Sequence, residues 1–211
     1  MGVVLGFGMR IFCIGQNYAA HAAELGHAVA GPGEPPVVFM KPQTSLVPPG
    51  EDVRWPAHGA ELHFETELVV GVRKTGHPAD EEDALDYIAG FTLGFDLTLR
   101  DVQRRLKTEG HPWEMAKAFD HSALCGDLVL VPNQRFQFTG LINGVIKQRG
   151  DTDDMVFSVP RLLVELGKVW LLHPGDLVFT GTPSGVGSLA PGDEIAAESP
   201  VLGRFAWKMA A

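Results

Sequence analysis

Positive charge is in short supply in this chain. There are 17 Lys and Arg against 26 Asp and Glu in 211 residues, a formal net charge of −9. With no Lys/Arg stripe to displace counterions, nucleic acid and anionic membrane surfaces are excluded as expected partners. Long apolar runs are missing too, and none approaches the ~20 residues of a membrane span. The opening Met1–Met9 is mildly apolar, but no basic segment precedes it, which argues against a signal peptide. Cysteine is scarce. Cys13 and Cys125 are far apart and form neither a CxxC pair nor a disulfide framework. They are expected as small buried hydrophobes in a reducing cytoplasm.

Apolar side chain is not lacking. Hydrophobic residues make up 45% and charged residues 20%, which excludes disorder and predicts one globular domain over residues 1–211. The 25 Gly and 15 Pro cut the chain into short segments and favour strands and turns over a helical bundle. Strands are predicted over Arg10–Ile14, Val37–Met40, Leu62–Val72, Leu128–Val131, Phe136–Ile142, Asp176–Thr180 and Phe205–Met209. Helices are predicted from a Ser158 cap to near Gly167, over Asp80–Ile88, from about Tyr18 to Leu25, and along Leu99, Val102 and Leu106 up to Gly110. The segment Gly31–Pro36 reads as a loop. The fold class is therefore β-rich α+β.

The informative acids stand in apolar surroundings. Strand alternation puts Glu65 and Glu67 on one face and Phe64, Leu68 and Val70 on the other. Carboxylates at i and i+2 stand ~7 Å apart along a strand and can close on one hard cation. The alternative is a solvent-facing edge strand. Asp96 sits in the otherwise uncharged run Ile88–Leu97 and needs a cation or strong donors if buried. Its plainer role is the N-cap of a helix beginning near Thr98. Three carboxylates without Cys or clustered His suit Mg²⁺ or Mn²⁺.

His21 and Glu24 lie at i and i+3 on one helix face, where a carboxylate can orient an imidazole as a general base. An ordinary surface pair has the same spacing. Arg100 and Gln103 share a face opposite Leu99 and Val102, suited either to an acid substrate or to solvent. Lys117 and Lys41, both among apolar neighbours, either snorkel or reach into a site. Thr180–Gly187 follows a strand. Its glycines permit close approach to a ligand and Thr182 offers a hydroxyl, although a structural turn fits equally. It lacks the Gly-Lys-Ser/Thr ending of a phosphate loop.

The ordered set resembles the fumarylacetoacetate hydrolase family, in particular its small acylpyruvase and oxaloacetate decarboxylase-like branch. The matching segments are Gly15-Gln16-Asn17-Tyr18 with His21 and Glu24, Phe39-Met40-Lys41-Pro42, Glu65-Thr66-Glu67, Asp96 to Gln103, Pro112-Trp113 with Ala116-Lys117, and Thr180-Gly181-Thr182-Pro183 with Gly185-Val186-Gly187. The resemblance implies a mixed β-roll with a few short helices, a homodimer, and Mg²⁺ or Mn²⁺ held by Glu65, Glu67 and Asp96. It implies that His21 and Glu24 form a catalytic pair on a lid and that Lys117 lies near the reacting oxygens. Gln16, Lys41, Arg100, Gln103 and Thr182 are the expected substrate contacts. Gln16 stands where some relatives have Arg, and Val131–Gly144 looks shortened. No extension precedes Met9, so the extra domain of larger members is expected to be absent. The implied activity is metal-dependent hydrolysis of a carbon–carbon bond in an acylpyruvate, a small 2-oxo acid. Oxaloacetate decarboxylation, or isomerisation or tautomerisation of a related 2-oxo acid, is the alternative at the same site. A non-catalytic β-domain with a structural cation would not call for His21, Glu24, Lys117 and Arg100.

Overall fold

Near-continuous apolar runs, rather than clean alternation, mark the strands at the centre of the fold. That pattern belongs to a sheet covered on both faces. The computed structural model describes residues 8–24, 31 and 33–210. Met1–Phe7 of the opening segment, Leu25 at the expected end of the first helix, and residue 32 of the predicted loop lie outside the described residues.

A seven-stranded mixed sheet runs in the order Val37–Lys41, Ile11–Gly15, Leu177–Phe179, Thr66–Val72, Ile88–Asp96, Ala123–Cys125, Leu46–Val47. A five-stranded sheet follows the order Val145–Asp151, Gln137–Ile142, Glu194–Ser199, Gly203–Met209, Asp52–Val53. A small third sheet joins Gly187–Ser188, Leu62–Phe64 and Thr98–Leu99. The helices are α1 (Ala19–Glu24), α2 (Glu81–Leu85), α3 (Arg100–Glu109), α4 (Glu114–Lys117) and α5 (Val159–Gly167). This is the expected β-roll with short helices. No helix among the described residues is long and apolar enough to cross a membrane.

The main core includes Phe12, Leu68, Val70, Phe91, Phe95, Phe136 and Trp207. Trp207 meets Phe95 edge-on at 5.8 Å between ring centroids, and its indole Nε1 donates to Val47 O at 3.1 Å. The opposite face of the large sheet buries Ile11, Cys13, Val69, Cys125 and Phe179. Both cysteines are therefore free and buried, as expected. Burial pushes the Cys125 thiol up to about 12.

The predicted strand Leu62–Val72 is two strands. Leu62–Phe64 pairs in the small sheet, Thr66–Val72 enters the large one, and Glu65 is the residue between them. The neighbouring chain breaks in step, with Ile88–Asp96 in the large sheet and Thr98–Leu99 in the small one. The two breaks are tied by a bond from Asp96 N to Glu65 O at 2.9 Å. Carboxylates from both chains thus converge where one sheet hands over to the other.

Leu128–Val131 is not a strand. Val129 alone bridges Phe91, beyond the end of the Ala123–Cys125 pairing, and Leu130 is 83% exposed, so the segment gains neither a ladder nor a buried face. Ile88–Asp96, nine residues long, went unpredicted because Gly90 and Gly94 dilute its strand character. A Cβ at Gly94 would collide with the Leu124 carbonyl oxygen, so only glycine lets the two chains pair there.

Two helix ends follow the predicted chemistry: Ser158 Oγ accepts from Arg161 N to cap α5, and Gly110 closes α3 in the left-handed region at φ 68°. Asp80, expected inside the first turn of its helix, is instead the N-cap of α2 and accepts from Glu82 N and Asp83 N. Helix α2 is shorter than expected, since Ile88 already belongs to a strand. Tyr18 precedes α1 in a β-bridge to Met155. Asp96 is no N-cap: Leu99 takes that position of α3, without a side-chain cap.

Candidate active site

Glu65, Glu67 and Asp96 each direct a carboxylate oxygen to one point, these atoms lying within 4.8 Å of one another. All three are buried, which removes the edge-strand alternative for Glu65 and Glu67. Thr66–Val72 is the fourth of seven strands. Cations close the cage from three sides. Arg100 Nη2 donates to Glu65 Oε1 at 2.6 Å. Lys117 Nζ, on the single turn of α4, donates to Glu65 Oε2 at 2.8 Å and Asp96 Oδ2 at 2.7 Å. Lys41 Nζ lies 2.7 Å from Asp96 Oδ1.

The electrostatics separate the acids. Burial opposes ionisation of Glu65, yet Lys117 and Arg100 outweigh it and hold the carboxyl well below the usual carboxylate range. Burial raises the Glu67 pKa well above that range, and Asp96 and Glu65 add to the effect, against a bond from Gly181 N at 2.8 Å and the charge of Lys117. Burial also works against the Lys117 ammonium, but Asp96 and Glu65 hold its pKa above the ordinary value. Three hard oxygen donors with no sulfur or imidazole among them suit Mg²⁺ or Mn²⁺. The burden on Glu67 is of the kind a divalent cation relieves.

Beside the cage is a small cavity that opens to solvent. Its wall includes Gln16, His21, Arg100, Gln103, Lys117 and Thr182, all expected from the sequence. His21 Nδ1 lies 3.1 Å from Glu24 Oε2, so the predicted dyad forms on α1. Glu24 also accepts from Gly185 N at 3.3 Å, which holds α1 against the 181–187 segment. Gln103 Oε1 accepts from Arg100 Nη1 at 2.7 Å and orients the guanidinium. Gln16 takes φ 62° at the cavity edge.

Lys41 corrects its expectation. It is not on the cavity wall but behind Asp96, fully enclosed, with Nζ donating to Leu97 O at 3.3 Å and to Lys117 O. It props a cage ligand and contacts no substrate position. Thr182 reaches the wall, but its hydroxyl is engaged: it donates to Thr66 O at 3.0 Å and accepts from Gln148 Nε2 at 2.8 Å.

Three residues were missed. Gln148 Oε1 accepts from Thr66 N at 2.9 Å while its amide holds Thr182 and Pro183, clamping the 181–187 segment to the strand between Glu65 and Glu67. Nothing local in the sequence marks it, since its role depends on non-local pairing. Asn17 Nδ2 donates to Thr180 O at 2.8 Å, and its side chain packs where a Cβ on Gly181 (φ 98°) would fall 2.8 Å away. Lys107 lines the cavity, four residues beyond Gln103. Extending the Arg100/Gln103 face by one turn would have found it.

Known proteins resemble this chain over nearly its whole length. The model of the fumarylacetoacetate (FAA) hydrolase C-terminal region matches residues 10–209. The mouse (Mus musculus) mitochondrial oxaloacetate tautomerase FAHD1 is 40% identical over 197 residues, covering 90% of this chain and 87% of that protein. The Escherichia coli oxaloacetate tautomerase YcgM is 42% identical over 193 residues, covering 88% and 86%. Fumarylpyruvate hydrolase from Pseudomonas aeruginosa, solved with Mn²⁺ and pyruvate, superposes with a TM-score of 0.88 at 36% identity, covering 96% of this chain and 90% of that one. A cage built where two sheets exchange strands, in a chain matched nearly end to end, gives one assignment: this chain belongs to the fumarylacetoacetate hydrolase family of enzymes.

Proposed function

We propose that this chain is a metal-dependent keto–enol tautomerase of oxaloacetate-type 2-oxo acids. The observation that carries the reading is the buried Glu65/Glu67/Asp96 cage, flanked by Lys117 and Arg100 and facing the His21–Glu24 pair across one cavity. The tautomerase relatives favour this reaction over the acylpyruvate hydrolysis that the sequence first implied.

Glu65, Glu67 and Asp96 would hold Mg²⁺ or Mn²⁺, which supplies Lewis-acid stabilisation of negative charge on the 2-oxo oxygen. Arg100, steadied by Gln103, receives the 1-carboxylate. His21 keeps Nδ1 on Glu24, which leaves Nε2 to take the proton from C3. The C3–H electron pair becomes the C2=C3 bond, and negative charge moves to the 2-oxygen. The Lys117 ammonium stabilises that charge, solvent at the open side of the cavity protonates the oxygen to complete the enol, and His21 returns the C3 proton to solvent. No water is consumed. Hydrolysis is the second reading, favoured by the fumarylpyruvate hydrolase likeness. There His21 Nε2 would instead deprotonate a water attacking the 4-carbonyl.

The test is an assay of enol-to-keto conversion of oxaloacetate beside cleavage of fumarylpyruvate and acetylpyruvate, with Mg²⁺ or Mn²⁺. The wild type should accelerate tautomerisation, and Glu65→Ala and His21→Ala should lose it. An unchanged rate in Glu65→Ala, or cleavage of an acylpyruvate without tautomerisation, would overturn the proposal.

A further inference from the structure

Thr66–Val72 pairs with Ile88–Asp96 along its whole length, but on its other edge Leu177–Phe179 covers only Val69–Gly71. Thr180 N still donates to Leu68 O at 3.1 Å, and the chain then turns away at Gly181, φ 98°. On that edge Thr66, between two cage glutamates, has no strand beside it. Its buried N–H and C=O need partners, and side chains provide both. Thr182 Oγ1 donates to Thr66 O at 3.0 Å, and Gln148 Oε1 accepts from Thr66 N at 2.9 Å.

The turn at Gly181 directs two backbone amides to other acceptors. Gly181 N donates to Glu67 Oε2 at 2.8 Å, and Gly185 N donates to the Glu24 carboxylate at 3.3 Å. One short turn thus holds a cage ligand at one end and the acid that orients His21 at the other. Among the described residues, the remaining hydrogen bonds to 181–185 come from Thr66 and Gln148. Gln148 supplies two of them, from Nε2 to Thr182 Oγ1 and to Pro183 O, each at 2.8 Å. Asn17 bonds this stretch only ahead of Gly181, at Thr180 O. Gln148 is buried and comes from Val145–Asp151, the edge strand of the five-stranded sheet. That strand also backs the turn, since a Cβ on Gly185 would fall 2.6 Å from Lys147 O. Gln148 is not on the cavity wall, so it reaches the site only through the turn and Thr66.

We propose that Gln148 is a positioning residue: by fixing the 181–185 turn it sets Glu67 and Glu24 in place together, coupling the metal cage to the His21–Glu24 pair. Groups that orient ligands from behind govern metal affinity and rate, because a small misplacement of reacting groups is expensive. The inference rests on the reading of Glu65, Glu67 and Asp96 as a metal cage and of His21 as the base.

Gln148→Met keeps the volume and removes all three hydrogen bonds. Full-length protein is studied at a temperature where circular dichroism shows the variant folded. Calorimetric Mn²⁺ affinity should fall about tenfold, and kcat for oxaloacetate tautomerisation at saturating Mn²⁺ should fall by a similar factor. KM should stay within about threefold, since Arg100 and Gln103 stand on α3, away from the turn. In the metal-free protein, NMR should show the Gly181 and Gly185 amides losing protection from hydrogen exchange together, while Ile88–Asp96 keeps its own. Gln148→Asn, one methylene short of spanning Thr66 and Thr182, should shift every readout the same way and carries the test if Gln148→Met does not fold. A variant that only melts lower, with wild-type Mn²⁺ affinity and kcat, makes Gln148 a packing residue and overturns the proposal. Loss at one end alone, in Mn²⁺ affinity or in kcat, overturns the coupling. A wild type that binds no Mn²⁺ overturns the cage reading and the inference with it. One that binds Mn²⁺ without tautomerising oxaloacetate overturns the reaction alone, and Mn²⁺ affinity and amide exchange then decide Gln148.

Discussion

A buried ammonium is tolerated where acceptors surround it, and Lys41 meets Asp96 Oδ1, Leu97 O and Lys117 O. Its sequence context, Met40 before and Pro42 after, fits either a surface stem or a site contact. Only packing distinguishes them. Lys41→Met should therefore act on stability, costing about 3–5 kcal/mol as for removal of one partner of a buried pair. Urea unfolding of the metal-free protein measures this. A variant of wild-type stability with only a raised KM would mean that Lys41 touches substrate after all. His63 makes a second residue-scale prediction. Its Nδ1 is buried without a hydrogen-bond partner among the described residues, and burial, then Arg100, lower its pKa from 6.5. The unfolded chain thus binds the proton more readily. Stability contributed by neutral His63 is present above pH 6.5 and is lost as pH falls through the lowered folded value. Between pH 8 and pH 5, the wild type should lose more of its urea midpoint than His63→Gln. Parallel profiles for the two proteins would contradict this.

At the scale of elements, the outcome divides by whether a signal is local. Caps and stops are local: Ser158 and Asp80 start their helices and Gly110 ends its own as their chemistry dictates. The carboxylate cage was legible because alternation aligns Glu65 with Glu67 and because Asp96 is conspicuous in an apolar run. The break at Glu65, which lets that residue face Lys117 and Arg100, was not legible. It depends on pairing with Gly187–Ser188 and Thr98–Leu99, distant in sequence. The nine-residue strand Ile88–Asp96 was hidden by its glycines, and Gly94 shows why they are there. Gly94→Ala should force the strand away from the Leu124 carbonyl and destabilise the protein by ~1–3 kcal/mol, the cost of overpacking. Because Asp96 lies two residues along the same strand, Mn²⁺ affinity should fall as well. A stable Gly94→Ala protein with full metal affinity would show that this close approach can relax at no cost.

Across the whole molecule, an acidic balance of −9 says little about an anionic substrate, yet it is consistent with one once the acids are placed. Three of the 26 acids form the cage, and Arg100, Lys107 and Lys117 stand on the wall of the same cavity. The same placement ties metal binding to global stability. Glu65 stands between the large and small sheets, Glu67 and Asp96 lie on adjacent strands of the large sheet, and unfolding scatters all three. At a hundredfold excess over Kd, a ligand specific to the folded state adds ~2.7 kcal/mol. For a chain of this length that raises Tm by ~5–10 °C. Far-UV circular dichroism melts with Mn²⁺, and again after EDTA, should display the shift and its reversal. Glu67→Gln should abolish it. In the metal-free protein the same substitution should leave Tm unchanged or higher, since it replaces a carboxyl that burial and two neighbouring acids already disfavour as an anion. A Glu67→Gln protein that kept the Mn²⁺ shift would remove Glu67 from the cage, and one that melted far below the metal-free wild type would assign Glu67 to the fold instead.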